Sequence, residues 1–88
     1  MTALDARIAE IHKRLESAFD PYELAIQDDS HLHVGHAGAQ SGKGHFSVRI
    51  RAADFADLKP LERHRAVYSA LGDLMQTDIH ALAIDAAP

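Results

Sequence analysis

The spacing of the apolar residues changes from a helical to a strand period at Pro21, and this change restricts the possible folds more than any other feature of the sequence. Before Pro21, apolar residues recur at intervals of three and four, as in the buried stripe of an amphipathic helix. These residues are Leu4, Ile8, Ile11, Leu15 and Phe19. Because the residue before a proline is pushed away from helical dihedral angles, the helix is predicted to end near residue 18.

Two runs with a period of two follow, and they are separated by a segment rich in glycine and histidine. Strict alternation of apolar with polar or small residues is typical of a half-buried strand. The apolar positions are Tyr22, Leu24 and Ile26 in the first run and Phe46, Val48 and Ile50 in the second. The two runs predict an antiparallel hairpin, with residues 28–44 as a flexible loop at its tip.

The rest of the chain predicts a short helix, a long helix and a third strand. Residues 54–59 are expected to form a turn or short helix before Pro60, which favours the first turn of a helix. The long helix is predicted over residues 60–75, with an inward stripe of Leu61, His64, Val67, Tyr68, Leu71, Leu74 and Met75. Residues 80–86 alternate again, with His80, Leu82 and Ile84 on one face, and predict a strand parallel to the second. The expected fold is α+β, in the order α-β-β-α-α-β, with the helices on one face of a three-stranded mixed sheet.

Length, charge and composition limit the class of protein. A chain of 88 residues buries roughly 60 to 65% of its unfolded surface in one modest core, so residues 1–88 are predicted to be a single domain. The net charge of −4 argues against a surface built wholly for nucleic acid. There is no cysteine, which excludes disulfides and thiolate ligands from this chain. Because no stretch approaches the roughly 20 apolar residues of a membrane span, a cytoplasmic protein is expected.

No catalytic motif is complete in this sequence. The stretch GAQSGKGH is similar to a phosphate-binding loop, but Gly38 and Gly42 are one residue too close together, and Gly44 replaces the Ser or Thr that should follow Lys43. A nucleophile with its base and a pair of carboxylates in a cleft are also not evident. The chain is therefore predicted not to be an enzyme.

Residues 28–46 hold four of the seven histidines and four of the five glycines. His31, His33 and His36 form the pattern H-x-H-x-x-H beside two aspartates, a set of ligands that suits zinc or another divalent ion. A polar loop without a ligand is the alternative reading of this spacing. His80 opens the third strand, and together with a loop histidine it would supply half of a metal site that a partner's thiolates complete.

The other two histidines are not candidates for ligand binding. His12 lies on the polar side of the first helix and is expected to be solvated. His64 lies on the apolar stripe of the long helix, where a partly buried imidazole bonded to nearby backbone is expected.

Three stretches make this sequence similar to the BolA family. They are GHF at the start of the second strand, LERHRAVYSAL in the long helix and IHALAI in the third strand. With the first helix, the similarity extends over nearly the whole chain. The resemblance implies the BolA-like fold, which is similar to the second class of KH domains and agrees with the element order given above.

The resemblance also implies a partner and a shared cofactor. In proteins that this sequence resembles, a BolA domain pairs with a monothiol glutaredoxin, and the two share a [2Fe-2S] cluster. The glutaredoxin side then contributes a cysteine and a glutathione thiolate, and this chain contributes His80 and one loop histidine. His33 is the expected loop ligand, with His31, His36 and His45 as alternatives. The isolated chain is expected to hold no cluster, and the implied function is cluster trafficking or iron regulation.

A second function stays open, because the same family includes proteins regarded as DNA-binding transcriptional regulators. Five basic residues could form a patch for nucleic acid: Arg49, Arg51, Lys59, Arg63 and Arg65. A solvated surface whose charges are paired within the protein is the alternative reading of these residues. The KH-type G-x-x-G loop between two helices is not found, and the negative net charge is unfavourable for this function.

Overall fold

A three-stranded mixed sheet organises the fold. The computed structural model describes residues 3–30 and 44–88. Strands β1 (Glu23–Asp28), β2 (Gly44–Arg51) and β3 (Ile79–Ala87) lie in the order β1-β2-β3. β1 pairs antiparallel with β2, and β3 pairs parallel with β2. The predicted hairpin and the parallel third strand are therefore confirmed.

Four helical segments complete the described chain. They are α1 (Ala3–Phe19), a 3-10 helix (Ala53–Asp57), α2 (Pro60–Leu71) and α3 (Leu74–Thr77). Within the described ranges, none of these helices combines the length and the apolar character that crossing a membrane requires. The predicted order is confirmed, with the 3-10 helix as the predicted short helix.

The core lies between one face of the sheet and helices α1 and α2. Phe46, Val48 and Ile50 of the central strand are buried, as their alternation predicts. The facing helices contribute Ile11, Leu15, Val67 and Leu71, which are also buried. Each such side chain stabilises the fold by about 1.5 to 3 kcal/mol when it leaves water. The residues that alternate with these on β1 and β2 face away from the helices, so the helices cover one face of the sheet, as predicted.

Helix α1 ends at Phe19, one residue beyond the predicted end. The next residue, Asp20, has a φ of 47° and donates its backbone N–H to the Glu16 carbonyl at 3.0 Å. This left-handed residue turns the chain toward β1. The Phe19 ring packs against Phe55 of the 3-10 helix, with the ring centroids 4.9 Å apart. The end of α1 is thereby joined to the segment that follows β2.

The continuous helix predicted over residues 60–75 is wrong. Helix α2 ends at Leu71, because Gly72 adopts φ 55° and ψ −124° and donates its N–H to the Tyr68 carbonyl. Arg14 of α1 reinforces this break, since its Nη1 donates to the Leu71 carbonyl and to Asp73 Oδ1, both at 2.7 Å. The hydrogen bond from Arg14 also lowers the pKa of the Asp73 carboxyl. The hydrogen bond from Arg14 therefore gives the Leu71 carbonyl the donor that the interrupted helix no longer provides.

The inward stripe predicted for the long helix is also too wide. Leu61 is 60% exposed and Tyr68 is 40% exposed. Both residues lie about 80 to 100° around the helix from the midpoint of Val67 and Leu71, which face the core. Helix α1 and the sheet cover the side of α2 that carries Val67 and Leu71, so the margin with Leu61 and Tyr68 stays in solvent.

Two residues that were predicted to share a strand face with apolar neighbours, Tyr22 and His80, are placed elsewhere. Tyr22 lies before β1 and is 72% exposed, with its hydroxyl donating to the Pro88 carbonyl at 2.9 Å. At the start of β3, the side chain that enters the core belongs to Ile79, while His80 is exposed. The cause is an irregular register, in which Gly44 pairs with Ile79 but His45 pairs with Ala81. This irregularity removes His80 from the face that Leu82 and Ile84 share.

Replacing Gly72 with alanine should destabilise the fold by about 1 to 3 kcal/mol, because a Cβ atom makes this left-handed backbone conformation strained. The nearest side-chain atom to that Cβ would be Arg14 Nη1 at 3.6 Å, an ordinary contact, so the cost arises from the backbone. Urea denaturation measures the difference. Ser69→Ala in the exposed part of α2 is the control and should change stability by less than about 0.5 kcal/mol. A Gly72→Ala variant as stable as the original chain would contradict this account of the helix break.

Candidate functional site

His80 and His45 meet at the end of the sheet where β2 and β3 begin. The centroids of the two imidazole rings lie 5.0 Å apart, and the ring planes are inclined by 53°. His80 is exposed, whereas His45 is only 7% exposed. The irregular register between Gly44 and His45 brings the two rings into contact. The site thus combines an accessible imidazole with a buried one that supports it.

The segment that contains the other candidate histidines is attached at this same end of the sheet. At its C-terminal attachment, Gly44 donates its N–H to the Asp78 carbonyl at 2.9 Å, two residues before His80. At its N-terminal attachment, Asp29 donates its N–H to the His45 carbonyl at 2.7 Å. His31, His33 and His36 themselves lie outside the described residues. The structure therefore shows where their segment joins the site, and the choice among them stays a prediction.

A hydrogen-bonded clamp holds the two attachment points together. Ser30 donates its N–H to Asp28 Oδ1 at 2.7 Å and accepts the His45 N–H on its Oγ at 3.0 Å. The Ser47 hydroxyl donates to the Asp29 carboxylate. Sequence reasoning treated the two aspartates as neighbours of a metal site and missed this clamp. The signal was the D-x-S pattern, in which an aspartate accepts a backbone N–H two residues later.

Gly44 is required by close packing at this attachment. A Cβ atom on Gly44 would lie 2.5 Å from Cε2 and 2.7 Å from Cζ of the Phe46 ring, which is buried in the core. Phe46 has no room to withdraw without opening the core. The GHF stretch therefore places a glycine against a core ring, and the next residue along the strand, His45, is directed to the other face of the sheet.

The described residues do not form a complete metal site. Within residues 3–30 and 44–88, no group of three or more His, Asp or Glu side chains is placed to hold a metal ion. In the same ranges, no hydrogen bond or ion pair engages the His80 side chain, whose contact is the His45 ring. An accessible imidazole is able to bind a metal ion, but a complete metal site here would need further ligands from elsewhere.

The five basic residues proposed for nucleic acid are divided between two places. Arg49 and Arg51 lie on β2, where Arg49 Nε contacts Glu23 at 2.6 Å and Arg51 Nη2 contacts Asp85 at 3.1 Å. The hydrogen bond from Arg51 lowers the pKa of the Asp85 carboxyl. Lys59, Arg63 and Arg65 lie instead at the start of α2.

The second group of basic residues is also partly committed to internal contacts. Arg63 donates Nε to the Phe55 and Leu58 carbonyls, at 3.0 Å and 2.9 Å. Lys59 and Arg65 have exposed side chains. Because β2 alternates Arg49 and Arg51 with core residues, these two arginines face away from the helices, and the structure does not join the two groups into one patch.

A hollow of about 830 Å³ lies on the sheet face opposite the helices. The three strands line it mainly with small residues and with side chains that are already paired. The lining consists of Ala25, Ile26, Gln27, Asp28, Ser47, Val48, Arg49, Ala83, Ile84 and Asp85. Neither His45 nor His80 lines this hollow, so it is separate from the paired histidines.

Known proteins resemble this chain in both sequence and structure. The family model for BolA-like proteins matches residues 15–88. The chain is 36% identical over 74 residues to the DNA-binding transcriptional regulator BolA of Haemophilus influenzae, a match that covers 84% of this chain and 69% of that protein. It is 36% identical over 89 residues to SufE-like protein 1 of Arabidopsis thaliana, of which it spans about a quarter of the length (24%, with 96% of this chain covered).

A solved structure with the same architecture is the BolA domain of SufE1 from Arabidopsis thaliana. The TM-score is 0.82 with 35% sequence identity, and the match covers 100% of this chain and 95% of that one. The α+β architecture predicted from the sequence is thus that of solved BolA domains.

The contact between the two imidazoles predicts a specific NMR response. In His80→Ala, the loss of a ring 5.0 Å away should shift the ring resonances of His45 more than those of His12 or His64. A ¹H–¹³C spectrum of the histidine side chains measures these shifts. His64→Ala is the matched control and should leave the His45 resonances in place. Equal effects of the two substitutions on His45 would mean that the His45 and His80 rings do not pack together in solution.

Proposed function

The chain belongs to the BolA-like protein family, and from this premise we propose that it is an adaptor that binds a monothiol glutaredoxin and co-ligates a [2Fe-2S] cluster. In this proposal His80 is one ligand, and His33 of the segment 31–43 is the other, with His31, His36 and His45 as alternatives. The glutaredoxin supplies its cysteine and a glutathione thiolate. The adaptor works in the cytoplasm, in cluster trafficking or iron regulation.

One observation carries the proposal: both attachments of the histidine-rich segment lie beside His80. The hydrogen bonds from Gly44 to Asp78 and from Asp29 to His45 bring them there. A ligand from this segment and a ligand from β3 therefore start from the same end of the sheet. The accessible side of His80 is where a partner would approach.

The ligand chemistry of this chain suits a divided site. With no cysteine in the sequence, the chain offers imidazole nitrogen and carboxylate oxygen, so thiolates must come from a partner. Imidazoles in place of two thiolates make such a cluster less negative and raise its reduction potential. The chain's own contribution is to bind, to orient His80 and to supply the second imidazole.

His45 is better suited to support His80 than to act as a ligand. Its ring is buried, and its backbone N–H and carbonyl are both held by the clamp at residues 29 and 30. A buried ring in a fixed backbone can hold the His80 ring in one orientation. Fixed ligands reduce the conformational entropy lost when the site is completed.

We propose no catalytic step for this chain. The feature that stands out at the candidate site is a pair of imidazoles with one accessible member, and neither of them lines the hollow. Both facts favour binding over turnover.

Mixing the chain with a cluster-loaded monothiol glutaredoxin and glutathione should produce a new visible circular dichroism spectrum. His80→Ala should abolish the new spectrum, because it removes the accessible ligand. His33→Ala should also abolish it if His33 is the second ligand, while His31→Ala and His36→Ala leave it intact. His64→Ala is the control and should behave like the original chain. An unchanged glutaredoxin spectrum with the original chain, together with no complex by size-exclusion chromatography, would refute the proposal.

DNA binding is the second candidate function, favoured by the Haemophilus influenzae relative whose name describes a DNA-binding transcriptional regulator. In this reading, Lys59 and Arg65 at the start of α2 contact phosphates, because their side chains are exposed. Arg49, Arg51 and Arg63 are engaged in contacts within the protein.

The logarithm of the DNA association constant falls linearly with the logarithm of the salt concentration. Removing one phosphate contact should make this negative slope smaller in magnitude by about 1. Fluorescence anisotropy with labelled duplex DNA at several salt concentrations measures this slope for Arg65→Ala and Lys59→Ala. His80→Ala serves as the control and should bind like the original chain. Binding that does not depend on salt, or that is unchanged in both basic variants, would rule out this function for the α2 residues.

A further inference from the structure

Strand β3 is a long edge strand with little protection against pairing. It is nine residues long and lies at one end of the strand order β1-β2-β3. Within the described part of the chain, no strand pairs with its outer side. Edge strands are usually protected by charges, prolines or bulges. Between Leu82 and Ala87 the one charged residue is Asp85, and the nearest proline, Pro88, follows the end of the strand.

The other edge strand, β1, is better protected. It has six residues, begins with Glu23 and ends with Asp28. Pro21 lies two residues before it, and the N–H of Tyr22 is already bonded to the Arg51 carbonyl. Short length and terminal charges both disfavour addition of another strand. The two edges of the sheet therefore differ, and among the described strands β3 is the one that offers an edge to a partner strand.

The backbone of β3 presents regular hydrogen-bonding groups on its outer side. Ala52 donates its N–H to the Ala87 carbonyl at 3.2 Å, so the backbone groups of Ala87 point toward β2. The N–H and carbonyl of one strand residue point to the same side, and those of the next residue to the other side. Leu82, Ile84 and Ala86 consequently direct their N–H and carbonyl groups outward. The register irregularity lies before Ala81, so this stretch is regular.

We propose that a second copy of this chain pairs with this edge, antiparallel, about a two-fold axis at Ile84. In this arrangement Ile84 pairs with Ile84 of the second copy, and Leu82 pairs with Ala86 of the second copy. All outward N–H and carbonyl groups from Leu82 to Ala86 then find partners, and the two sheets become one continuous sheet. Such a self-complementary contact is the usual basis of a symmetric dimer.

Side chains fit this register on both faces of the sheet. On the helix side, Leu82 meets the small Ala86 and Ile84 meets its own copy, so large and small side chains alternate. On the opposite face, Ala83 lies across from Asp85 of the second copy, and no like charges are directly opposed. The charge of Asp85 is also offset within its own chain, because Arg51 Nη2 lies 3.1 Å from its carboxylate. Backbone, volume and charge therefore all favour a second copy as the occupant of this edge.

Cysteine cross-linking tests the pairing directly, because the natural sequence has no cysteine. In the proposed dimer, Ile84→Cys brings two thiols together at a pair with Cα atoms about 5.5 Å apart, which suits a disulfide. Ile26→Cys is the matched control: Ile26 is also half-buried and lies in the same row, since both residues pair with Val48. Mild oxidation followed by non-reducing electrophoresis should give a dimer with Ile84→Cys and mostly monomer with Ile26→Cys. Equal cross-linking of the two variants would overturn the proposal.

Charge substitution at Ala83 tests the register without disturbing the core, because Ala83 is exposed. Ala83→Glu places a carboxylate opposite Asp85 of the second copy and should weaken the dimer about fivefold, counting both symmetric pairs. Ala83→Lys places an ammonium there and should strengthen the dimer by a similar factor. Sedimentation equilibrium of the isolated chain measures both constants. Glutaredoxin and cluster are absent from this experiment, so its result is independent of the function proposed above.

The original chain should self-associate in the concentration range from about 10 µM to about 1 mM that is typical of small interfaces. Opposite shifts of the dimer constant in Ala83→Glu and Ala83→Lys support pairing about Ile84. Shifts in the same direction would overturn this register, and an original chain that is monomeric throughout the range would overturn the dimer itself.

Discussion

Burial of the central strand β2 is the constraint on which the rest of the structure depends. Phe46, Val48 and Ile50 are its core residues, and both other strands pair with β2 and not with each other. Helices α1 and α2 pack on the face that these three side chains form. Because β1 and β3 do not pair with each other, their pairing with β2 sets their relative position in the sheet. Any change in the register of β2 would therefore move every element of the sheet.

The candidate site inherits its geometry from the first residues of this strand. Gly44 packs against the Phe46 ring and bonds to Asp78, so the start of β3 is fixed to the start of β2. His45 follows directly and supports the His80 ring. Residues 44–46 thus contribute to the core on one face of β2 and to the candidate site on the other face. Substitutions in this stretch are expected to affect stability and ligand position together, which makes His80 the cleaner position for testing function.

The proposed functions use different parts of the same small surface. The cluster proposal uses the end of the sheet where β2 and β3 begin, where an exposed imidazole lies beside a buried one. The proposed self-association uses the outer side of β3 around Ile84, and the DNA alternative uses exposed cations at the start of α2. In a chain of 88 residues these surfaces are necessarily close, since one modest core offers few separate faces. A partner that binds at His80 would approach one end of the β3 edge.

Local periodicity was sufficient to predict α1, the start of α2, the strands, their order and the three core residues of β2, because each alternation reports which side of an element faces the core. The concentration of histidines in one segment and the position of His80 at the start of the third strand made them candidates, and the resemblance to the BolA family supplied the expected partner and cluster. Three features depended on tertiary contacts. The first is the break at Gly72, where Arg14 bonds the last carbonyl of α2, and the second is the exposure of Leu61 and Tyr68. The third is the start of β3, where Ile79 enters the core and His80 does not. The sequence pattern determined which residues are able to be buried, but the helix face that a neighbour covers and the register at which two strands join are properties of the packed chain. Only the tertiary structure could therefore decide that His80 faces solvent with His45 beside it.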